Sequence, residues 1–104
     1  MHDPEYLTLA RFAENLNTTF EVVANDGQTF PVKLAEVSEL KRSERTERFS
    51  LLFESPLDYF LSQGMYTLQH EQMGTFELFI VPVFKEETCF VYEALFNRLI
   101  KQQQ

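Results

Sequence analysis

From Phe20 to Asn97 the apolar side chains of this chain recur mostly at every second position, the period of strands with one face buried. Phe20, Val22 and Ala24 alternate with Glu21, Val23 and Asn25. Phe30, Val32 and Leu34 take up the same alternation after Asn25-Asp26-Gly27, a tight-turn signal because Asn and Gly tolerate positive φ. Residues 20–34 therefore read as a hairpin. Pro31 cannot donate to a ladder, so its side of the strand is expected at an edge or a bulge. Past Leu34 the alternation slips to Val37 and Leu40, which predicts a bulge near Ala35-Glu36 and a sharp bend.

A helical period shows in two places. Thr8 is placed to cap a helix near residues 9–15, where Leu9, Phe12, Ala13 and Leu16 fall at i, i+3, i+4 and i+7. Two turns are too short to stand alone, so this helix must dock. Ser55-Pro56 reads as an N-cap followed by the first helical position, predicting a second helix near residues 57–62 that buries Leu57, Phe60 and Leu61 and stops at Gly64. Between them, residues 36–48 carry four acids and four bases, read as a strand end and a solvated loop in preference to a helix.

The remaining strands are expected at 49–54, 65–70, 75–84 and 89–97. Phe49, Leu51 and Phe53 share one face of the first; Tyr66 and Leu68 point inward from the second. The third places Phe76, Leu78, Ile80, Pro82 and Phe84 on one face and Phe79, Val81 and Val83 on the other, with Glu77 its one polar residue. A half-exposed strand should be polar outside, so this strand is expected to be covered on both sides, by the short helices or by another subunit. The last strand agrees, with Phe90, Tyr92, Ala94 and Phe96 against Cys89, Val91 and Leu95. The fold class is mainly β with a minor α+β character. A single domain over 1–104 is expected: a small antiparallel barrel or bent two-sheet roll of six to seven strands with one or two short helices. Residues 1–6 and 101–104 read as loose ends. Leu51, Phe53, Tyr66, Leu68, Leu78, Ile80, Tyr92 and Phe96 form the expected core.

Composition narrows the function. The chain has 104 residues and a formal charge of −7, which disfavours a nucleic-acid backbone as partner. Eleven Phe and four Tyr set it apart from disordered chains, which are poor in aromatics. The single Cys89 cannot form an internal disulfide, and no membrane-length apolar run or secretory signal is present, so a cytoplasmic protein away from membranes is expected.

The second half carries a recognisable string: Gln63-Gly64-Met65-Tyr66, His70, Gly74, Leu78-Phe79-Ile80-Val81-Pro82 and Tyr92-Glu93-Ala94-Leu95-Phe96-Asn97. With Phe49-Ser50-Leu51-Leu52-Phe53 and Pro56 before it, the chain resembles a bacterial family of small β-rich proteins of unassigned function. That family's pattern runs FSLxF, QGxYxLxH, LG, LFLVP and YEAxFN, and the resemblance spans about residues 49–97. Met73-Gly74 stands where the pattern has Leu-Gly, and Phe79-Ile80 where it has Phe-Leu. The resemblance implies a compact, often stand-alone domain, and genes set near phage-tail-collar-like proteins imply an accessory or assembly role.

Catalytic chemistry finds little support. The histidines are His2 and His70, too few for a usual transition-metal set, so neither a metal nor a cofactor is expected. His70 reads as a strand-end residue that bonds its hairpin. Cys89 has acids at Glu86 and Glu87, which raise a thiol pKa, so an inert thiol is expected. Neither a nucleophile elbow nor a phosphate loop appears. No catalytic residue is assigned and no enzyme is expected. Glu93 stands out as an acid on a mostly apolar face that needs a partner if buried, Lys85 or Arg98 by position, and Asn97 closes the same strand. Glu93 and Asn97 are therefore the candidate polar site.

The leading expectation is an interaction or assembly module whose partner is another protein or the chain itself, most often as a homodimer. Phe79, Val81, Val83, Val91 and Leu95 are its expected interface. The alternative is a small-molecule-binding barrel, disfavoured because about eight strands are normally needed to leave an internal cavity.

Overall fold

The computed structural model describes residues 7–99, and the expectations for 1–6 and 101–104 fall outside them. One helix, α1 (Leu9–Glu14), precedes seven strands. These are β1 (Thr19–Val23), β2 (Thr29–Val37), β3 (Lys41–Arg42), β4 (Thr46–Pro56), β5 (Gly64–His70), β6 (Gly74–Lys85) and β7 (Cys89–Leu99). Their order is β2-β1-β5-β6-β7-β4-β3, and β2 also pairs with β4, so six antiparallel strands close into a barrel with β3 outside the ring.

Closure depends on β2 serving two neighbours. It pairs with β1 from Thr29 to Lys33 and with β4 from Lys33 to Val37. Pro31 sits before the β4 pairing begins, where its missing N–H costs no ladder bond. The expected bulge lies between Leu34 and Glu36 and turns the strand from one neighbour to the other. The β1–β2 turn has Gly27 at φ 88° and an Asp26 carboxylate that accepts the Gln28 amide at 3.0 Å. Residues 41–48 form the small β3–β4 hairpin.

The barrel interior is lined by one cluster of buried side chains. Phe20, Val22, Leu34, Leu51, Phe53, Leu68, Tyr92 and Phe96 are essentially inaccessible, and all eight expected core residues belong to the buried cluster. One end is plugged by α1. Thr8 caps it, its Oγ1 accepting the Arg11 amide at 3.1 Å. Phe12 then places its ring 5.5–6.4 Å from those of Phe20, Phe49, Phe76 and Phe96. Of the expected stripe, Phe12 is buried and Leu9 half-buried, whereas Ala13 is exposed and Leu16 lies past the helix, 40% exposed.

The expected helix at 57–62 does not form. The β4–β7 ladder runs on to Pro56↔Cys89, so Ser55 is a buried strand residue and cannot serve as an N-cap. Specific pegs hold residues 57–63 as an irregular cap on the barrel's other end. The Leu61 amide donates to the Tyr92 hydroxyl at 2.8 Å, and the Tyr66 hydroxyl donates to the Ser62 carbonyl at 2.9 Å. Tyr59 stacks on Phe30 with centroids 4.7 Å apart, and Phe60 meets Phe90 edge-on at 5.2 Å. Six residues gain little from an isolated helix, and these contacts outweigh it.

A second departure is in β6. A bulge between Pro82 and Phe84 leaves Val83 unpaired and sets Phe84 opposite Val91. Phe84 therefore leaves the inward face expected for it and is 63% exposed.

Candidate functional site

The outer side of β6 and β7 carries a run of outward apolar positions. Strand alternation places Leu78 and Ile80 inside, and with them Phe79 and Val81 outside. Likewise Tyr92, Ala94 and Phe96 face the core while Glu93 and Leu95 face out. Phe79 is 47% exposed, Val83 39% and Leu95 59%, and Val81 is half-buried. Val91 differs: it is only 5% exposed yet stands outside the interior cluster, set between Glu54 on β4 and Phe84 on β6. It acts as the floor of this surface and offers little area of its own.

Three further apolar residues extend the surface. Met65, opposite Phe79 on β5, is 51% exposed. Leu52 stands opposite Glu93 on β4, and Phe84 joins through the bulge. Met65 and Leu52 follow from alternation once the strand order is known. Phe84 could not be found that way, because a bulge inside an apolar run leaves no polar residue to mark the change of phase. The short helices do not cover this face: α1 plugs a barrel end, and the helix expected at 57–62 does not form.

Glu93 lies in the middle of this surface and is half-buried. Leu52 and Val81 stand opposite it on the two neighbouring strands. Val91 and Leu95 are its outward neighbours along β7. The cation expected for it is elsewhere: Arg98 points to the other face, where its Nε donates to Glu47 Oε1 at 3.2 Å. Lys85 pairs in register with Phe90. Among the described residues no hydrogen bond or ion pair engages the Glu93 carboxylate. Asn97 is exposed on the same face and does not end its strand, since β7 continues to Leu99.

Glu47, Arg98 and His70 have structural partners. Glu47 also binds Arg42 at 3.3 Å, and Arg98 lies over the Phe49 and Phe96 rings, 5.7 Å from each centroid. His70 Nδ1 accepts the Gln72 and Met73 amides at 2.9 and 3.2 Å, so the neutral ring carries its proton on Nε2, 2.8 Å from Thr18 Oγ1. Thr18 in turn donates to the Asn15 carbonyl at 2.6 Å. His70 thus ties the β5–β6 turn to the end of α1. Burial pulls its pKa below the usual histidine value, against the opposing pull of Glu71.

Cys89 is a half-buried free thiol whose Sγ lies 3.5 Å from Glu86 Oε1. Burial pushes its pKa up, with the Glu86 hydrogen bond and the Glu54 and Glu86 charges adding to it. Cys89, Glu54 and Glu86 bring one ligand atom each within 4.8 Å of one another. This grouping joins strand ends far apart in sequence and was not legible there. Glu54 is already engaged by Lys33 at 3.6 Å. A depression of about 370 Å³ beside it is lined by Pro31, Lys33, Glu54, Pro56 and Cys89 among others.

Residues 7–96 match the family described as Domain of unknown function (DUF6916). The chain belongs to that family. No curated protein and no solved structure shows a significant similarity to it. The DUF6916 match takes in α1, the strands β1 to β6 and β7 as far as Phe96. Among the described residues no helix is long and apolar enough to cross a membrane.

Proposed function

We propose that this DUF6916 domain is a non-enzymatic protein-interaction or assembly module that engages a protein partner, or a second copy of itself, through the outer face of β6 and β7. The observation that carries this reading is the exposure of Phe79, Leu95, Met65 and Phe84 on adjoining strands. Extended apolar surfaces of this kind mark interaction sites more often than scattered exposed residues do. The packed interior weighs against the alternative of a small-molecule barrel, because Phe12, Phe20, Phe53, Tyr92 and Phe96 fill the space a ligand would need. The resemblance to a bacterial family set near phage-tail-like proteins supports an accessory role in such an assembly. A cytoplasmic setting without nucleic acid or a membrane partner belongs to the same proposal.

Light scattering and co-purification from the native host, on the native chain and on Phe79→Glu, test it. Phe79 is half-exposed, so the variant should fold. The native chain is expected to form a dimer or hold a partner that Phe79→Glu loses. Identical behaviour of the two in both measurements would overturn the assignment.

A further inference from the structure

The Glu93 carboxylate is out of keeping with its surroundings. Cross-strand neighbours stand about 4.5–5.5 Å apart at Cβ, and those of Glu93 are Leu52 and Val81. Its outward neighbours at i−2 and i+2 are Val91 and Leu95. A solvated acid gains nothing from such a frame, and a buried one needs a counter-charge. Among the described residues none is provided. Lys33, which enters the adjoining row through Glu54, is already paired with it, and Arg98 is on the opposite face with Glu47. Four of the nine bases lie instead between Lys41 and Arg48.

We propose that the β6–β7 face receives a partner protein presenting a lysine or arginine within an apolar surface, and that Glu93 is the counter-charge. This rests on the interaction reading above and specifies its occupant. Charge complementarity selects that occupant. Glu36, opposite Leu52 on β2, adds a second acid to the row that already holds Glu93. A second copy docked about a two-fold axis through this row would set Glu93 against Glu93 in a partly dry contact, a like-charge arrangement that costs affinity. A basic side chain converts the same position into a charge-assisted hydrogen bond rimmed by Leu52, Val81 and Leu95.

The outward spacing of Val91, Glu93 and Leu95 defines a probe. In an extended peptide every second side chain shares a face, so Ac-Leu-Thr-Lys-Thr-Leu-amide presents two leucines around one ammonium. Its Gln analogue removes only the charge. Titration of each is followed on the methyl signals of Leu52, Val81 and Leu95 in the native chain. The Lys peptide is expected to bind about threefold to fivefold more tightly, the range for a partly exposed ion pair. That preference should shrink with added salt and vanish in Glu93→Gln, a near-isosteric change checked by its unchanged melting temperature.

Equal binding of both peptides on these methyls would leave the interaction face standing and overturn the counter-charge. Failure of either peptide to shift them would overturn both. Sedimentation covers the remaining occupant: a native dimer through Leu95 that Glu93→Gln tightens would identify a second copy and also overturn the proposal. The salt dependence is read on the native chain, so the result does not hang on the variant.

Discussion

The hydroxyl of Tyr92, at the centre of β7, accepts the amide of Leu61 at 2.8 Å and so fastens the irregular 57–63 segment over the barrel end. Both partners are buried. Tyr92→Phe keeps the ring and leaves the Leu61 amide without an acceptor, which costs about 1–3 kcal/mol. Urea unfolding should show that loss, and limited proteolysis should cut the variant faster within residues 57–63 than elsewhere.

Phe12 is the plug at the opposite end, fully buried among four other phenylalanine rings. Phe12→Ala leaves a cavity that a short helix cannot collapse into, and a loss of about 3–5 kcal/mol is expected. Such a loss is a large part of the ~5–15 kcal/mol available to a domain. A melting temperature unchanged in this variant would mean that α1 contributes nothing to the barrel.

His70 makes stability depend on pH with a defined sign. Its folded pKa lies below the unfolded value of 6.5, because burial opposes the charged ring more than Glu71 favours it. The charged group that acts on it is Glu71 on the turn. The neutral ring is the form that accepts the Gln72 and Met73 amides. Its contribution is therefore present above pH 6.5 and is lost as the pH falls below that value through the folded pKa. The gap in urea midpoint between the native chain and His70→Asn should narrow on acidification through this window. A gap constant from pH 8 to pH 5, about the span in which histidine titrates, would contradict it.

The Arg98–Glu47 pair should respond asymmetrically to mutation. Arg98 carries one buried nitrogen, Nη1, without a hydrogen-bond acceptor, so part of its burial is a cost. Arg98→Met keeps an apolar stem and removes that orphan donor, together with the guanidinium that lies over Phe49 and Phe96. It is expected to change stability by less than about 1 kcal/mol. Glu47→Leu strands both Arg42 and Arg98 and should destabilise by more. Chemical denaturation of the two variants side by side gives the order.

What the sequence made legible is tied to side chains with one strong local preference. The hairpin at Asn25-Asp26-Gly27, the Thr8 cap and the slip near Ala35 each rest on a few adjacent residues, and each stands in the fold. A barrel was one of the two architectures expected, but the pairing that closes it, Leu34 with Phe53, is set by the bend of a bulged strand and not by composition. Ser55-Pro56 misled for the same reason: a capping preference is local, whereas the long β4–β7 ladder is not. At the candidate site, Glu93 could be singled out as an acid among apolar residues. The orientation of Arg98 was missed because the strand was expected to end at Asn97; once β7 runs on to Leu99, alternation turns Arg98 to the other face.

The ring is unevenly fastened. β7 and β4 pair continuously from Thr46↔Leu99 to Pro56↔Cys89, whereas β1 and β5 meet only from Glu21↔Gln69 to Val23↔Thr67. Local opening is expected where the shortest ladder runs, at the β1–β5 seam, with the β1–β2 hairpin as the flap and the β4–β7 ribbon as the shut side. The amide protons of Glu21 and Val23, which face β5, should accordingly exchange with deuterium well ahead of those in the middle of β7, and the β5 edge uncovered by that opening is where an intruding strand would first find purchase.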